Sequence, residues 1–232
     1  MYNEHEHLEA VLDDIVLWKY MDFLKFVNIL TTNKIWFNKI NCFEDVYEGT
    51  YPVANKALRD KIYNGAPPPQ CVYDTAEKYE RQRLYVLCFH NNEYESAAMW
   101  NLYANDAGIA IKTSGNRLKK CFNNESKNIY IAPVDYIDYE KDFLPEGNAF
   151  YLGTHKRKSF SHEKEIRCMY FNTGDALDDK GQYINVDVTE LIEEIYISPY
   201  APEYMADTLK ALLKKYGYHI PITKSPLYRL NK

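Results

Sequence analysis

KRKSFSHEKEIRCMY, residues 156–170, alternates charge and apolarity: Glu163, Glu165 and Arg167 share one parity, Ile166, Cys168 and Tyr170 the other. Residues two apart in a β-strand project from one face, so the run predicts a strand with an apolar face on a core and a charged face directed elsewhere. Two carboxylates this close repel unless a cation lies between or beyond them. Arg167, Lys156 and Lys158 are the nearest in sequence. Such a cluster is either a reactive or anion-binding site or a solvated sheet face.

The 232-residue chain is long enough for one sizeable core, and length alone permits one large or two small domains. Its 46% hydrophobic and 26% charged residues exclude wholesale disorder. Aromatic residues are abundant, with 22 Tyr, 10 Phe and 3 Trp, and tyrosine suits clefts because its apolar ring carries a hydroxyl. A formal net charge of -5 argues against broad nonspecific grip on nucleic acid and leaves room for a local basic patch. Cys42, Cys71, Cys88, Cys121 and Cys168 form no CxxC pair and no Cys/His ligand spacing, which reads as reduced thiols. The acidic start MYNEHEHLEA lacks an apolar signal segment, and no apolar run approaches membrane-spanning length. A soluble, cytoplasmic protein with no membrane partner is expected.

IVLWKY (15–20) reads as a first strand, after which Asp22 caps a helix through Phe23, Phe26, Val27 and Leu30 that ends near Asn33. KIWFNK (34–39) alternates as a strand, and CFEDVYEG (42–49) is a turn-rich acidic loop. A helical region follows, interrupted by an extended loop at Pro67, Pro68 and Pro69. RLYVLCFH (83–90) is an apolar strand, ESAAMWNLYA (95–104) a helix, and GIAIKT from Gly108 a strand. IYIAPVDYIDY (129–139) reads as one strand bent at Pro133, with a short helix before Lys156. YINVDV and EIYIS are further strands, and PEYMADTLKALLKKYG (202–217) is the clearest helix, closed by Gly217. Strands spread along the chain with helices between them predict an α+β fold on a mixed or mainly antiparallel sheet with flanking helices, not a doubly wound one.

No Gly-rich phosphate loop, GKS/GKT, HExxH, GxSxG or EF-hand pattern is present. His5 and His7 alternate with Glu4 and Glu6, where a solvated tail outweighs metal binding. His90 ends a strand and reads as locally satisfied. Glu44, Asp45 and Glu48 read as an ordinary turn in which Asp45 bonds its own backbone, ahead of a divalent-ion site. Met99, Trp100 and Tyr103 lie at helical spacing, as core or as a stacking platform. The Glu163, Glu165, Arg167 set, with Phe160 and Tyr170 beside it, stands open between a functional cleft and an idle charged face.

In order along the chain, LWKY (17–20), KIWFNKINCFEDVYEG (34–49), LCFHNNEYESAAMWNLYANDAGIAI (87–111), KRKSFSHEKEIR (156–167) and ISPYAPEYMADTLKALLKKYG with a late KSPL form a series. This series resembles a bacterial family, a domain of unknown function often met near phage-defence and abortive-infection genes. The matching motifs are an aromatic-Lys-Tyr opening, a Phe-Asn-Asp-Pro-aromatic-Glu turn, a Met-Trp-x-x-Tyr-Ala helix and a Glu-x-Glu-x-Arg signature. The resemblance runs from about Ile15 onward and implies a single α+β domain over residues 15–232 behind an N-terminal tail of residues 1–14. Glu44 stands where the family has Asn, Val46 where it has Pro, Leu102 where it has His and Phe160 where it has Trp; a second His after the Trp helix is absent.

Glu163-x-Glu165 is also similar to the Glu-x-Glu of ADP-ribosyltransferase-like enzymes, in which the later Glu orients the nicotinamide ribose. Together the resemblances imply an ADP-ribosyltransferase-like fold and a toxin-like, defence-associated effector. Its reaction is glycosidic cleavage of NAD or a nucleotide, or ADP-ribosyl transfer. Glu165 then serves as the catalytic carboxylate with Glu163 as its partner, because a fixed carboxylate stabilises the developing oxocarbenium ion. Lys19, Lys156 and Arg167 are expected to neutralise a diphosphate, and Tyr20, Tyr103 and Trp100 to bind the rings of the substrate. No cofactor is implied, NAD entering as a substrate. One alternative is a non-catalytic module that binds a nucleotide, a nucleic acid or a protein partner. The third is a metal-dependent nuclease in which Asp45 and Glu48 join Glu163 and Glu165 in space. At the cluster itself, Lys19, Tyr20 or Lys156 is expected close to Glu165.

Overall fold

The computed structural model describes residues 1–104, 106–175 and 180–228; the end of the expected domain, 229–232, lies outside the described residues. The first third of the chain follows its local chemistry closely. β1 (Val16–Asp22) runs into α1 (Phe23–Thr32), whose N-terminus is capped by the Asp22 side chain accepting from the Lys25 amide at 2.8 Å. Asn33 ends the helix in the left-handed region at φ 54°, a conformation that asparagine tolerates better than most residues. β2 (Lys34–Lys39) then alternates exposed and buried residues without a break. α2 (Val53–Ile62) and α3 (Gln70–Arg83) flank the proline loop, and β3 (Leu84–Asn91) is buried along most of its length. α4 (Ala97–Tyr103), capped by Ser96, leads to β4 (Gly108–Ser114), and α5 (Gly115–Lys120) follows it.

The run expected as one bent strand is two, β5 (Tyr130–Pro133) and β6 (Asp135–Ile137), and they belong to different sheets. Pro133 has no N–H to continue a ladder, and the chain changes partners there. α6 (Ala149–Thr154), β7 (His155–Arg157), β8 (Glu165–Phe171), β9 (Gly181–Asn185), α7 (Val188–Leu191), β10 (Glu194–Ile197), α8 (Tyr204–Tyr216) and β11 (Ile222–Lys224) complete the order. Residues 1–14, read as a solvated tail, are laid against the sheet. Asn3 donates to the Ile129 carbonyl at 2.9 Å, and Val11 is part of the core.

Among the described residues, nine strands form the main sheet, with the path β11-β10-β4-β1-β3-β2-β9, and with β8 against β3 and β5 against β8. Every pair within it is antiparallel except β10 with β11. The fold is therefore α+β with a mostly antiparallel sheet. One face packs α1, α8 and the segment after α5 through Phe26, Leu30, Phe122, Leu209 and Leu213, meeting Ile166 and Cys168 of β8. Among the described residues, no helix is long and apolar enough to cross a membrane.

One irregularity positions everything that follows. β8 pairs with β3 along its whole length, but the other edge of β3 is shared by two strands. β1 meets it only at Leu17↔Asn91 and Trp18↔His90, and β2 only at Asn38↔Val86 and Lys39↔Tyr85. Between these contacts, residues 87–89 find ladder partners only in β8, among the described residues. β1 and β2 run parallel to each other, joined by α1, and splay apart into a wedge over the middle of β3.

The Asp22 cap carries the turn from the first jaw of this wedge into α1. Asp22→Ala should cost about 1 kcal/mol of stability, within the range for lost N-caps. Chemical denaturation at neutral pH measures it, and no loss would mean the helix start is fixed by packing alone.

Candidate functional site

A cavity of about 740 Å³ opens at the wedge. Its walls come from β1 (Trp18, Lys19, Tyr20), β2 (Trp36, Asn38), β3 (Cys88, His90) and the stretch 156–165. Its size falls within the range of small-molecule sites.

The charged wall is built from more than a strand. Glu165 opens β8, but Glu163 ends a 3-10 segment, Lys158–Glu163, and Lys164 between them is left-handed at φ 42°. Glu163 and Glu165 are therefore brought together by a kinked turn and not by strand alternation. A non-glycine residue in that region costs on the order of 1 kcal/mol. The Lys164 backbone is held there by bonds to Ser161 and Asn91. Arg167 shares the strand with Glu165, while Ile166 and Cys168 point into the core as the alternation requires.

Lys156 occupies the centre. Its Nζ lies 2.5 Å from Glu163 Oε2, 2.8 Å from Glu165 Oε1 and 3.1 Å from Glu48 Oε1. Arg167 completes the network: Nε donates to Glu165 at 2.5 Å, both terminal nitrogens grip Glu48 at 3.0 Å, and one also donates to the Gly153 carbonyl. Tyr103 donates its hydroxyl to Glu163 at 2.9 Å, and the Glu165 amide donates to the Tyr136 hydroxyl at 2.9 Å. Glu48, Lys156, Glu163, Glu165 and Arg167 are all buried. The face is enclosed, which excludes the solvated reading of it.

Three carboxylates meet two cations here, so with all five ionised the cluster carries one excess negative charge. Glu163 and Glu165 divide this imbalance unequally. Burial alone would raise the Glu165 carboxyl, but Arg167, a hydrogen bond with Glu163, and Lys156 hold it well below the usual carboxylate range. Burial and the Glu165 hydrogen bond push Glu163 up to about 7, against the pull of Lys156. Burial would lower Lys156, yet Glu165, Glu48 and Glu163 hold its pKa above the ordinary lysine value. Burial and Glu163 raise Tyr103. Glu163 is the group poised to exchange a proton near neutrality, while Glu165 stays ionised.

Lys19 stands apart from this network. It is half-buried on the cavity wall, and among the described residues no carboxylate lies within ion-pair distance of it. Burial lowers its pKa, opposed by Cys88 and Glu165. His90, also on the wall, binds the Glu163 carbonyl through Nδ1 at 2.5 Å, and burial lowers its pKa. Burial and Glu165 push the Cys88 thiol up to about 12, so it is no nucleophile at neutral pH.

Lys19, Tyr20, Tyr103, Lys156, Glu163 and Glu165 thus share one cavity. Two expected site residues do not reach it. Trp100 is 1% exposed, packed edge-on to Tyr20 with its indole N–H on Glu95, because its helix turns that face to the core. Arg167 is 0% exposed and its donors are spent on Glu48, Glu165 and Gly153, so it supports the wall from behind. Tyr20 reaches the cavity by its ring, its hydroxyl accepting from the Ser96 amide at 2.7 Å. Glu48 does join Glu163 and Glu165 as the nuclease reading required, but through Lys156 and Arg167. Asp45 instead pairs with Arg157 at 2.7 Å and accepts from the Tyr47 amide. Among the described residues, no group of three or more His, Cys, Asp or Glu is arranged to hold a metal ion. Trp36, His90 and Tyr183 were missed as cavity residues; the exposed aromatic at the centre of the alternating KIWFNK was the available signal for Trp36.

Arg167→Met should destabilise the fold by about 3–5 kcal/mol, the cost of stripping one partner from a buried ion network. A loss below about 1 kcal/mol in denaturant titration would show that the network is dispensable. Glu163→Gln should have a pH signature. Because the folded pKa lies above the unfolded one, the folded state binds the extra proton between about pH 4.5 and about pH 7. Wild-type stability is then lost as pH rises through that window, and the neutral glutamine escapes the loss. The variant should match the wild type near pH 5 and exceed it at pH 8, by on the order of 1–3 kcal/mol. Parallel stability curves across that range would rule out the raised pKa.

Residues 99–168, under half of the chain, match a family described as Protein of unknown function (DUF2971), and this span carries Tyr103, Lys156, Glu163, Glu165 and Arg167. A cysteine–tRNA ligase of Brevibacillus brevis is 27% identical over 122 residues, 53% of this chain. The matched part is 26% of that ligase, so the chain spans about a quarter of the length of this curated relative. The solved structure of Thermus sp. 2.9 DarT in complex with ADP-ribosylated ssDNA is similar at a TM-score of 0.41 and 9% identity, covering 94% of this chain and 97% of that chain.

Proposed function

We propose that the cavity takes a nucleotide, with NAD as the foremost candidate, and that the protein cleaves the nicotinamide glycosidic bond or transfers ADP-ribose to an acceptor. The observation that carries this reading is the pair Glu163 and Glu165, facing one cavity with pKa values driven in opposite directions. Neighbouring carboxyls pushed apart in this way take on different acid–base roles. When the bond between ribose C1′ and the pyridinium nitrogen breaks, the nitrogen keeps the electron pair and nicotinamide leaves neutral. The sugar is left as an oxocarbenium ion, which the Glu165 carboxylate, its pKa lowered by Arg167 and Lys156, stabilises. The hydroxyl of water or of an acceptor then bonds to C1′, and its proton passes to the Glu163 carboxylate. A carboxyl with a pKa near 7 is suited to that transfer at neutral pH. Lys19, a cation with no protein counter-ion in the described structure, supplies the charge for a phosphate.

One observation favours a binding role without chemistry. Lys156 and Arg167 each already hold an oxygen of Glu165, which weakens its field at the sugar. In that reading the cavity recognises a nucleotide or a nucleic-acid end and the glutamates only fix its walls. A defence-linked, toxin-like role rests on the family resemblance of the sequence and follows from the enzymatic reading.

Purified protein incubated with NAD, alone and with cell lysate as acceptor, should release nicotinamide detectable by chromatography. Glu165→Gln should reduce release by about 10²–10³-fold, the usual scale for losing one electrostatic stabiliser. Wild type but not the variant should arrest growth on expression. Absence of release under both conditions sinks the enzymatic reading, and NAD-dependent thermal stabilisation without release would establish the binding one.

A further inference from the structure

On the wall of the same cavity stand two aromatic residues that the proposed chemistry leaves unused. Trp36 of β2 and Tyr183 of β9 are direct cross-strand partners, and both line the cavity. Trp36 is 38% exposed and Tyr183 51%, whereas Trp18 and Trp100 are at most 3% exposed. Their rings meet edge to face, with centroids 4.9 Å apart. Cross-strand aromatic pairs do stabilise sheets, so exposure alone would say little.

The indole, however, is fixed more tightly than a sheet ornament requires. Its Nε1–H donates to Asn38 Oδ1 at 2.6 Å, which satisfies its polar atom within its own strand. Its ring also lies over Gly181, where a Cβ would sit 2.5 Å from Trp36 Cζ2 and 2.3 Å from the Phe37 carbonyl oxygen. Only a residue without a side chain lets the ring settle there. The indole is packed against the Gly181 backbone, its donor is occupied, and the residue stays 38% exposed. Phe43 and Phe160 add further aromatic surface to the cavity wall.

We infer that Trp36, locked by Gly181 and Asn38 and braced by Tyr183, is a stacking platform for the base of a nucleotide whose phosphate lies on Lys19. The inference rests on the nucleotide reading of the cavity but not on any catalytic step. Charge complementarity selects this occupant. Among the described residues the cavity offers one cation without a protein counter-ion and a preorganised aromatic ring on its wall, so a ligand joining an anion to a planar ring satisfies both. Every base has a π-face, so the platform fixes the ring without choosing among bases.

The test uses the full chain with AMP and ribose 5-phosphate as probes, followed by calorimetry and tryptophan emission. AMP should bind, and should quench the emission of the wild type more than that of Trp36→Phe. Trp36→Ala and Tyr183→Ala should each weaken AMP by about tenfold, the order expected for one base–aromatic stack. Neither should change ribose 5-phosphate affinity by more than about twofold, while Trp36→Phe should keep most of the AMP affinity. AMP binding that is indifferent to both alanine variants overturns the platform and leaves the nucleotide reading standing. Equal weakening of both probes also overturns it, assigning the pair a structural role. Failure of the wild type to bind AMP, ribose 5-phosphate or NAD removes the platform and the nucleotide reading together. Should Trp36→Ala not fold, Tyr183→Ala and the emission difference decide.

Discussion

A lysine ammonium buried among three carboxylates is the interaction on which the site depends. Lys156 draws Glu48, Glu163 and Glu165 to one point, and Arg167 ties Glu48 and Glu165 together from the core side. Taking such charges out of water costs several kcal/mol per ion, recovered only when geometry and hydrogen bonds are nearly complete. Completeness requires the loop carrying Glu48 to meet, in register, the continuous run from β7 with Lys156 through the 3-10 segment ending at Glu163 into β8. The network therefore specifies positions as well as joining them, and the left-handed Lys164 is the local strain accepted in exchange.

The same network decides which group can change its protonation. Two cations cannot neutralise three carboxylates, and Glu165, gripped by both, keeps its charge. Glu163, held by Lys156 and by the neutral hydroxyl of Tyr103, carries the remainder. An acid–base asymmetry between residues two apart in sequence thus follows from which one faces Arg167. The wedge above β3 opens the cavity beside that asymmetry, because β1 and β2 part where Cys88 faces it.

Much of the fold was legible because its periodicities are local. The alternation in residues 34–39, the Asp22 cap and Gly217 after the last helix each reflect chemistry within a few residues, and each stands where the sequence placed it. The short α5, α7 and β11 were not legible, since so few residues carry no usable period. The site was half-legible. Charge alternation identified Glu165 and Arg167 but could not reveal that Arg167 is enclosed, because its main partner, Glu48, lies 119 residues away. Glu163 was found for the wrong reason, the strand pattern having run one turn too far. Trp100 carried a recognition role on helical spacing and motif, while Trp36, which does line the cavity, looked like an ordinary strand residue.

The split edge of β3 has a further consequence for how this chain can diversify. The two jaws of the wedge and the helix between them are one continuous segment, anchored to β3 only near its two ends. Lys156, Glu163, Glu165 and Arg167 come more than a hundred positions later, and among the described residues no jaw residue shares in their ion pairs. Substitutions that reshape the jaws can therefore alter what enters while leaving the ionic wall in its working state. Under the proposed function, ligand choice and reactivity are carried by separate stretches of one polypeptide.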